Sequence, residues 1–442
     1  LNTFYKDYIP FELTNDQKKV LKEIRQDTQT GKQMNRLLQG DVGSGKTMVA
    51  LLCMLLAIDN DFQTCLMAPT EILAMQHYTG IEELLAAMPI EIGYLSGKTK
   101  AKDRKILLSR LQSGDLKILI GTHALIEDKV TFKNLGLCII DEQHRFGVAQ
   151  RAKLYDKNTL PPHILVMTAT PIPRTLAMTS YGDLEVSVIK EMTPGRKPIS
   201  TVHRPEMYRA KVMDFIKSEI AQGRQIYIVY PLIAESEKLD YENLYAGYEQ
   251  VKQFFPDHLY QIAMVHGKQT QEEREQNMQS FVKGKAHILV ATTVIEVGVN
   301  VPNASVMVIE SAERFGLSQM HQLRGRVGRG AEKSYCILLT GQKLSAVGKE
   351  RIHTMVQETS GFAISEKDLL LRGPGEIDGI RQSGAADLKI ADIIKDVELM
   401  AITRKAAIDI LQKDSNLENE ENQSLRNYLL SRKEKEIWSR IS

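Results

Sequence analysis

The chain has 442 residues, carries 57 Lys and Arg against 55 Asp and Glu for a net charge of +2, and is 43% hydrophobic. This composition excludes a disordered chain, a collagen-like repeat and a histone-like polycation, and the length predicts about two to four domains. The longest apolar run, Met48–Ile58, has 11 residues, whereas a membrane span needs about 20, so the sequence predicts no membrane segment.

The N-terminus lacks the basic start and apolar stretch of a signal peptide, and it begins with Leu instead of Met. The 4 cysteines have neither metal-ligand nor disulfide-framework spacing. These features predict a cytoplasmic protein in a reducing compartment, and we expect the sequence to be a fragment of a longer protein.

Strand-like apolar runs alternate with amphipathic helical patterns from residue 11 to residue 345. Such alternation is typical of parallel sheets covered by helices on both faces. The predicted helices of the first half include 16–27 and 72–88, and its predicted strands are 36–39, 64–68, 117–120, 137–140 and 164–167. The predicted strands of the second half are 225–229, 261–265, 287–290, 305–309 and 335–339.

A Pro/Gly-rich stretch, TPGRKP at 193–198, separates the two halves and predicts a linker. The sequence therefore predicts three regions, at 11–192, 199–345 and 346–442. In the third region two predicted helices, 345–358 and 387–412, flank the glycine-rich segment 371–384. The fold class is α/β, with two tandem doubly wound parallel sheets followed by a smaller, mainly helical segment.

The sequence GDVGSGKT at 40–47 fits the phosphate-loop pattern G-x-x-x-x-G-K-[ST] and lies between a predicted strand and a predicted helix. Glycines let backbone N–H groups surround phosphate oxygens, and the helix N-terminus favours negative charge. The lysine would bind the β and γ phosphates of ATP, and the threonine hydroxyl would bind Mg²⁺. The candidate nucleotide-binding residues are Gly40, Gly43, Ser44, Gly45, Lys46 and Thr47.

The sequence DEQH at 141–144 follows a strand that is predicted to be buried, so it lies at the ligand-binding edge of the sheet. We expect Asp141 to hold Mg²⁺ and Glu142 to accept the proton of the attacking water. Gln143 and His144 are candidates for linking the γ phosphate to the second half. On its own, Asp-Glu closing a strand is more often a solvated turn.

The second half contains QLRGRVGR at 322–329 but no phosphate loop of its own. Arg326 and Arg329 are three residues apart, which would place them on one face of a helix. A guanidinium supplied from outside a phosphate loop stabilises the charge of phosphoryl transfer. The pattern thus predicts one ATP site between the halves, with Arg326 and Arg329 donated across it. The alternative is a basic solvated helix.

Further motifs occur along both halves: LTNDQ at 13–17, APTEILAMQ at 68–76, GTHAL at 121–125, TAT at 168–170, VHGK at 265–268, ATTVIEVGVN at 291–300 and RFGLSQMHQLRGRVGRG at 314–330. Together with the phosphate loop and DEQH, they resemble the superfamily 2 helicases and translocases, and within them the RecG family of bacterial branched-DNA helicases. The resemblance implies two RecA-like domains, hydrolysis of ATP with Mg²⁺, and movement along duplex, forked or four-way-junction DNA.

The resemblance also assigns residues. It implies that Gln17 reads adenine, and that 68–76 and 121–125 contact DNA. The implied coupling and DNA-side residues of the two lobes are Thr168, Thr170, Thr292, Glu296 and Gln322. Arg351 and the segment 362–383 resemble the translocation motif of that family, which makes Arg351, Arg381 and Gln382 candidates for coupling lobe closure to DNA movement.

The members of that family carry an N-terminal wedge domain, whereas the first lobe of this sequence begins near Phe11. We therefore expect a fragment without the wedge, and a monomer. Two other functions stay open from the sequence: a P-loop regulatory ATPase that does not need nucleic acid, and an RNA remodelling helicase. A passive binding module is disfavoured by Lys46, Glu142 and Arg326.

Overall fold

The computed structural model describes residues 3–9, 11–142, 157–158, 160–169, 184–231, 237–292, 301–330, 333–372 and 396–431. These residues fall into two compact units. The first comprises Leu1–Pro171 and Ser187–Asp368, and the second comprises Ile172–Val186 and Leu369–Ser442. Across the described ranges, no helix is long and apolar enough to cross a membrane. The three predicted region boundaries stay a prediction.

One sheet is built from the first half of the chain. Its strands are β1 (Asn35–Gly40), β2 (Gln63–Met67), β3 (Ile92–Leu95), β4 (Ile118–Gly121), β5 (Leu135–Asp141), β6 (His163–Thr168) and β7 (Glu185–Ile189). Their order in the sheet is β3-β4-β2-β5-β6-β1-β7. Strands β1, β5 and β6 lie side by side in parallel, which brings the ends of β1 and β5 to the same edge.

The other sheet is built from the second half. Its strands are β8 (Ile199–Pro205), β9 (Gln225–Tyr230), β10 (Ile262–Val265), β11 (Ile288–Thr292), β12 (Ala304–Ile309) and β13 (Ser334–Thr340). Their order is β10-β11-β9-β12-β13-β8. This order repeats that of β3-β4-β2-β5-β6-β1, strand for strand. The two halves therefore share one topology, and β8 and β12 are the counterparts of β1 and β5.

Helices cover these sheets. In the first half they are α1 (Asn15–Thr28), α2 (Lys46–Ile58), α3 (Glu71–Leu85) and α4 (Ala101–Ser113). In the second half they are α5 (Arg209–Ala221), α6 (Glu237–Phe254), α7 (Gln271–Val282) and α8 (Leu317–Arg324). They are followed by α9 (Ala346–Gln357), α10 (Gly361–Arg372), α11 (Val397–Lys413) and α12 (Gln423–Ser431).

The predicted α/β class with two parallel sheets is confirmed. The strands predicted from apolar runs are all present. All but β10 lie inside a sheet, where parallel strands are buried on both faces and so carry apolar runs, whereas β10 lies at an edge and is partly buried. The three strands that the sequence did not predict, β3, β7 and β8, each lie at the edge of a sheet, where one side of a strand lacks a neighbour. Their side chains are only partly buried and their sequences are correspondingly mixed.

The second sheet carries a buried ion pair at the position that corresponds to the phosphate-loop lysine and the carboxylates of the first sheet. Arg209 begins α5, as Lys46 begins α2, and Glu310 follows β12. Two hydrogen bonds join them, from Arg209 Nη1 to Glu310 Oε1 at 2.7 Å and from Nη2 to Oε2 at 2.6 Å. Burial raises the pKa of Glu310, and the hydrogen bonds and charge of the Arg209 guanidinium oppose this shift.

We expect Arg209→Met to lower the free energy of unfolding by about 3–5 kcal/mol, because it leaves Glu310 buried without its cation. Lys211→Met on the exposed side of the same helix is the matched control and should change it by less than about 0.5 kcal/mol. Urea unfolding monitored by circular dichroism measures both. A loss below about 1 kcal/mol for Arg209→Met would contradict the expectation, and Arg209→Met/Glu310→Met should recover part of the loss.

The second unit contains α11 and α12. The turn between them is organised by Asp414, whose carboxylate accepts hydrogen bonds from the backbone N–H groups of Glu418 at 2.8 Å and Asn419 at 2.9 Å. Asn422 Nδ2 donates a third bond to it at 2.9 Å. These bonds lower the pKa of Asp414 and fix the path of the chain from one helix to the next.

Candidate active site

A cleft of about 560 Å³ is lined by residues from both sheets' loops within the first unit. The first half contributes most of the phosphate loop 40–47, together with Asp141 and Glu142 at the end of β5. The second half contributes the segment Gly325–Gly330 after α8, which we call the arginine loop. The ionisable residues that line the cleft are Lys46, His77, Asp141, Glu142, Arg196, Arg326 and Arg329. The structure therefore brings the predicted catalytic residues to one place.

The phosphate loop turns sharply between β1 and α2. Gly43 and Gly45 have φ of +84° and +82°, a conformation that side chains with a Cβ rarely adopt. A Cβ on Gly43 would overlap the Arg196 guanidinium. The Lys46 ammonium donates to the carbonyl oxygens of Gly40 at 2.7 Å and Asp41 at 3.1 Å, so the loop already folds around it.

Asp141 is the last residue of β5, and Glu142 follows it with φ of +54°. Their backbone turn aims both carboxylates into the cleft, where each is less than a tenth exposed. Burial, with a smaller contribution from the charge of Asp141, raises the pKa of Glu142 to about 7, although Lys46 and Arg326 oppose the shift. A carboxylate of this basicity suits proton abstraction near neutral pH.

The arginine loop corrects one prediction. Arg326 and Arg329 do not lie on one face of a helix, because α8 ends at Arg324 and the chain turns at Gly325 and at Gly328, whose φ is +77°. Both guanidiniums line the cleft nevertheless. Burial, then the neighbouring charge of Arg326, lowers the pKa of Arg329 to about 10. Such crowding of cations favours a polyanionic ligand.

Gln17 lies beside the phosphate loop and is 1% exposed. Its amide is engaged on both sides: Nε2 donates to Ser44 O at 2.8 Å, and Oε1 accepts from Thr14 N–H at 2.9 Å. In this structure Gln17 thus braces the phosphate loop and caps α1. Its role as the reader of adenine stays a prediction.

The other described candidates outside the phosphate loop are not among the residues that line the cleft. Thr168 ends β6, in register with Gln39 of β1. Thr292 ends β11 and is fully buried. Gln322 lies on α8 and Arg351 on α9. The predictions for Gln143, His144, Thr170, Glu296, Arg381 and Gln382 lie outside the described residues.

Several residues that shape this site were not predicted. His77 Nε2 lies 2.8 Å from Asp141 Oδ2 and fixes the orientation of that carboxylate. His321 Nε2 lies 2.6 Å from Asp41 Oδ1, so α8 is held directly on the phosphate loop. His77 follows directly on APTEILAMQ, and His321 lies within 314–330. The sequence motifs beside these two histidines could be recognised, but a sequence pattern does not show which carboxylate a histidine contacts.

Three family models match the chain in succession. They are the DEAD/DEAH box helicase at residues 14–179, the helicase conserved C-terminal domain at 209–331, and the C-terminal part of domain 3 of the ATP-dependent DNA helicase RecG at 358–442. The third model falls on the region that follows the two sheets.

Curated relatives agree with these models. The chain is 49% identical to the ATP-dependent DNA helicase RecG of Synechocystis sp. over 420 residues, which cover 94% of this chain and 50% of that protein. It is 49% identical to the RecG of Bacillus subtilis over 422 residues, which cover 96% of this chain and 61% of that protein. The chain thus spans about half to three-fifths of the length of these relatives.

Solved structures show the same relationship. A structure of RecG bound to a three-way DNA junction matches with a TM-score of 0.77 and 44% identity, covering 90% of this chain and 51% of that one. A structure of the helicase MrfA bound to DNA has a TM-score of 0.58 at 17% identity over 80% of this chain and 52% of that one. The second likeness concerns the fold alone.

Proposed function

Because the chain belongs to the RecG family of helicases, we propose that it hydrolyses ATP in the cleft between its two sheets. Hydrolysis would open and close the two lobes, and this movement would carry the protein along duplex DNA and remodel forks and four-way junctions. The observation that carries this proposal is the cleft itself, in which one half supplies a phosphate loop and two carboxylates and the other half supplies two arginines. The structure of a relative on a three-way DNA junction supports branched DNA as the partner.

The triphosphate is expected on the phosphate loop. Gly43 and Gly45 have the positive φ of a tight loop whose backbone N–H groups can bind phosphate oxygens, and Lys46 needs only to exchange carbonyl oxygens for phosphate oxygens. Three further cations, Arg196, Arg326 and Arg329, line the same cleft. A cleft with this excess of positive charge suits a nucleotide polyphosphate.

Mg²⁺ fits the donor set that the cleft presents. Thr47 offers a hydroxyl and Asp141 a carboxylate, both of which line the cleft, and hard oxygen ligands are those that Mg²⁺ prefers. His77 orients Asp141 through a single carboxylate oxygen. The ion would neutralise charge on the β and γ phosphates.

Hydrolysis follows from the placement of Glu142. Its carboxylate accepts the proton of a water that attacks the γ phosphate, while Arg326 and Arg329 stabilise the charge that spreads over the equatorial oxygens. Loss of the γ phosphate then weakens the hold of the second lobe on the first. Repeated closing and opening would move the two lobes along the DNA backbone. A monomeric state and a bacterial cytoplasmic location remain predictions.

Nucleic-acid stimulation of ATP hydrolysis tests the proposal. We expect duplex DNA to raise kcat at least about 10-fold over the rate without nucleic acid, and forked DNA at least as much, because lobe closure is completed on the substrate. The measurement is steady-state ATPase activity with no nucleic acid, linear duplex, forked DNA and RNA, and Lys46→Ala is the control for contaminating ATPases. Equal rates in every arm would favour the regulatory ATPase, and stimulation by RNA alone would favour the RNA helicase.

A further inference from the structure

Arg196 stands in the connection between the two sheets and contacts both sides of the cleft. It lies in the Pro/Gly-rich stretch between β7 and β8, where Gly195 has φ of +85°. Its Nη1 donates to the carbonyl oxygen of Val42 in the phosphate loop. Its Nε donates to the carbonyl oxygen of Gly328, at 3.2 Å, in the arginine loop. One side chain of the linker thus bridges the two functional loops.

The position of the Gly328 carbonyl determines what the contact with Arg196 can do. Gly328 lies between Arg326 and Arg329, so a bond to its carbonyl fixes the segment that carries both guanidiniums. Gly328 has φ of +77°, and a Cβ there would press on Ile199 Cγ1 at 2.9 Å, so the loop is held closely against the start of β8. The arginine loop is therefore restrained from the second lobe at one side and from the linker at the other.

The phosphate loop is equally adapted to this contact. The Arg196 guanidinium lies against Gly43, where any Cβ would overlap it. Both acceptors are backbone carbonyls, which hold their place whatever side chains surround them. A guanidinium has five N–H donors in a rigid fork and can serve two acceptors in different directions, whereas an ammonium acts as a point charge.

We propose that Arg196 is a positioning residue, which sets the placement of Arg326 and Arg329 over the phosphate loop and so acts on ATP turnover through these two arginines. This inference rests on the proposed ATP hydrolysis. It assigns to the linker a part in catalysis, because the segment that connects the lobes also holds the phosphate loop and the arginine loop at a fixed separation.

The test compares Arg196→Lys with Lys197→Gln, an exposed neighbour in the same stretch. Arg196→Lys keeps the charge and an aliphatic stem, but its single nitrogen lacks the rigid fork by which Nε and Nη1 reach carbonyls in two different directions. We expect it to lower the DNA-stimulated kcat by about 10-fold to 100-fold, because misplacement by about 1 Å has that effect on a catalytic group. The Kd for a fluorescent ATP analogue should change by less than about 3-fold, since the phosphate loop is intact. Lys197→Gln should match the wild type in both.

A double-variant cycle separates positioning from direct contact with phosphate. If Arg196 acts through the arginine loop, Arg196→Lys should lower kcat by a smaller factor in an Arg329→Ala protein than in the wild type, because only the placement of Arg326 is then left to lose. Full multiplication of the two effects would overturn the proposal, as would a wild-type kcat for Arg196→Lys.

Two further outcomes also have a definite meaning: a variant that does not fold, and a wild-type protein that does not turn over ATP. Should Arg196→Lys fail to fold, Arg196→Gln enters the same cycle, and failure of both variants to fold while Lys197→Gln folds would overturn the positioning role in favour of a structural one. Wild-type protein is measured first with duplex DNA. Turnover in the wild type with unchanged turnover in Arg196→Lys overturns this inference alone, whereas absence of turnover in the wild type overturns the proposed function and this inference with it.

Discussion

Replacing Arg326 with alanine is expected to lower the DNA-stimulated kcat for ATP hydrolysis by about 10³-fold to 10⁵-fold, the range over which arginine fingers act in phosphoryl transfer. Arg326 is 4% exposed in the cleft, and its charge favours the ionised form of Glu142, which places it beside the reaction centre. Burial, with a smaller contribution from the charge of Arg329, lowers the pKa of Lys46. Replacement of Arg329 should have an effect of the same kind.

Two quantities are measured: the rate of single-turnover ATP hydrolysis and the Kd for ATP. Arg326 is expected to act mainly in the transition state, so the Kd for ATP should rise by less than about 10-fold while the rate collapses. Arg204→Ala, an exposed arginine of the second lobe on β8, is the matched control and should behave as the wild type. Turnover of Arg326→Ala within 10-fold of the wild type would remove Arg326 from catalysis.

Replacing Glu142 with glutamine is expected to lower kcat by about 10²-fold to 10⁴-fold without loss of ATP binding. Glutamine has nearly the same shape and can still accept the hydrogen bond that the Ala169 backbone N–H donates to Glu142, but it cannot take a proton from water. The measurement is steady-state ATPase activity with duplex DNA, together with the Kd for ATP.

Asp141→Asn is the comparison that separates the two adjacent carboxylates. If Asp141 holds Mg²⁺, its replacement should raise the Mg²⁺ concentration needed for half-maximal activity, whereas Glu142→Gln should leave that concentration unchanged. Unchanged turnover in Glu142→Gln would exclude it as the base. If only Glu142→Gln shifted the Mg²⁺ requirement, Glu142 would be the Mg²⁺ ligand and Asp141 the base.

The central strands and the phosphate loop were predictable, because each has a local cause. Strands β2, β5 and β9 are buried on both faces, so each carries a run of apolar residues, and the turn of GDVGSGKT comes from its glycines. Edge strand β8 was missed, since its residues are partly exposed. Local patterns also wrongly predicted Arg326 and Arg329 on a helix, which in fact ends at Arg324, directly before Gly325.

The contacts across the cleft could not be predicted from the sequence. The sequence predicts Arg196 only as part of a linker, since nothing in TPGRKP shows that a guanidinium reaches Val42 and Gly328. The bond between Asp41 and His321 joins residues 280 positions apart. Such pairs depend on how two folded lobes meet, which no local pattern records. Glycine spacing did identify the loops that these residues contact.

A crystal structure with ADP, Mg²⁺, aluminium fluoride and duplex DNA tests most directly whether the two halves form one ATP site. We expect the nucleotide on the phosphate loop, with the guanidinium of Arg326 or Arg329 in hydrogen-bond contact with the fluoride that replaces the γ phosphate. A nucleotide held by Lys46 while both arginines stay clear of the fluoride, in crystals of active protein, would contradict the composite site.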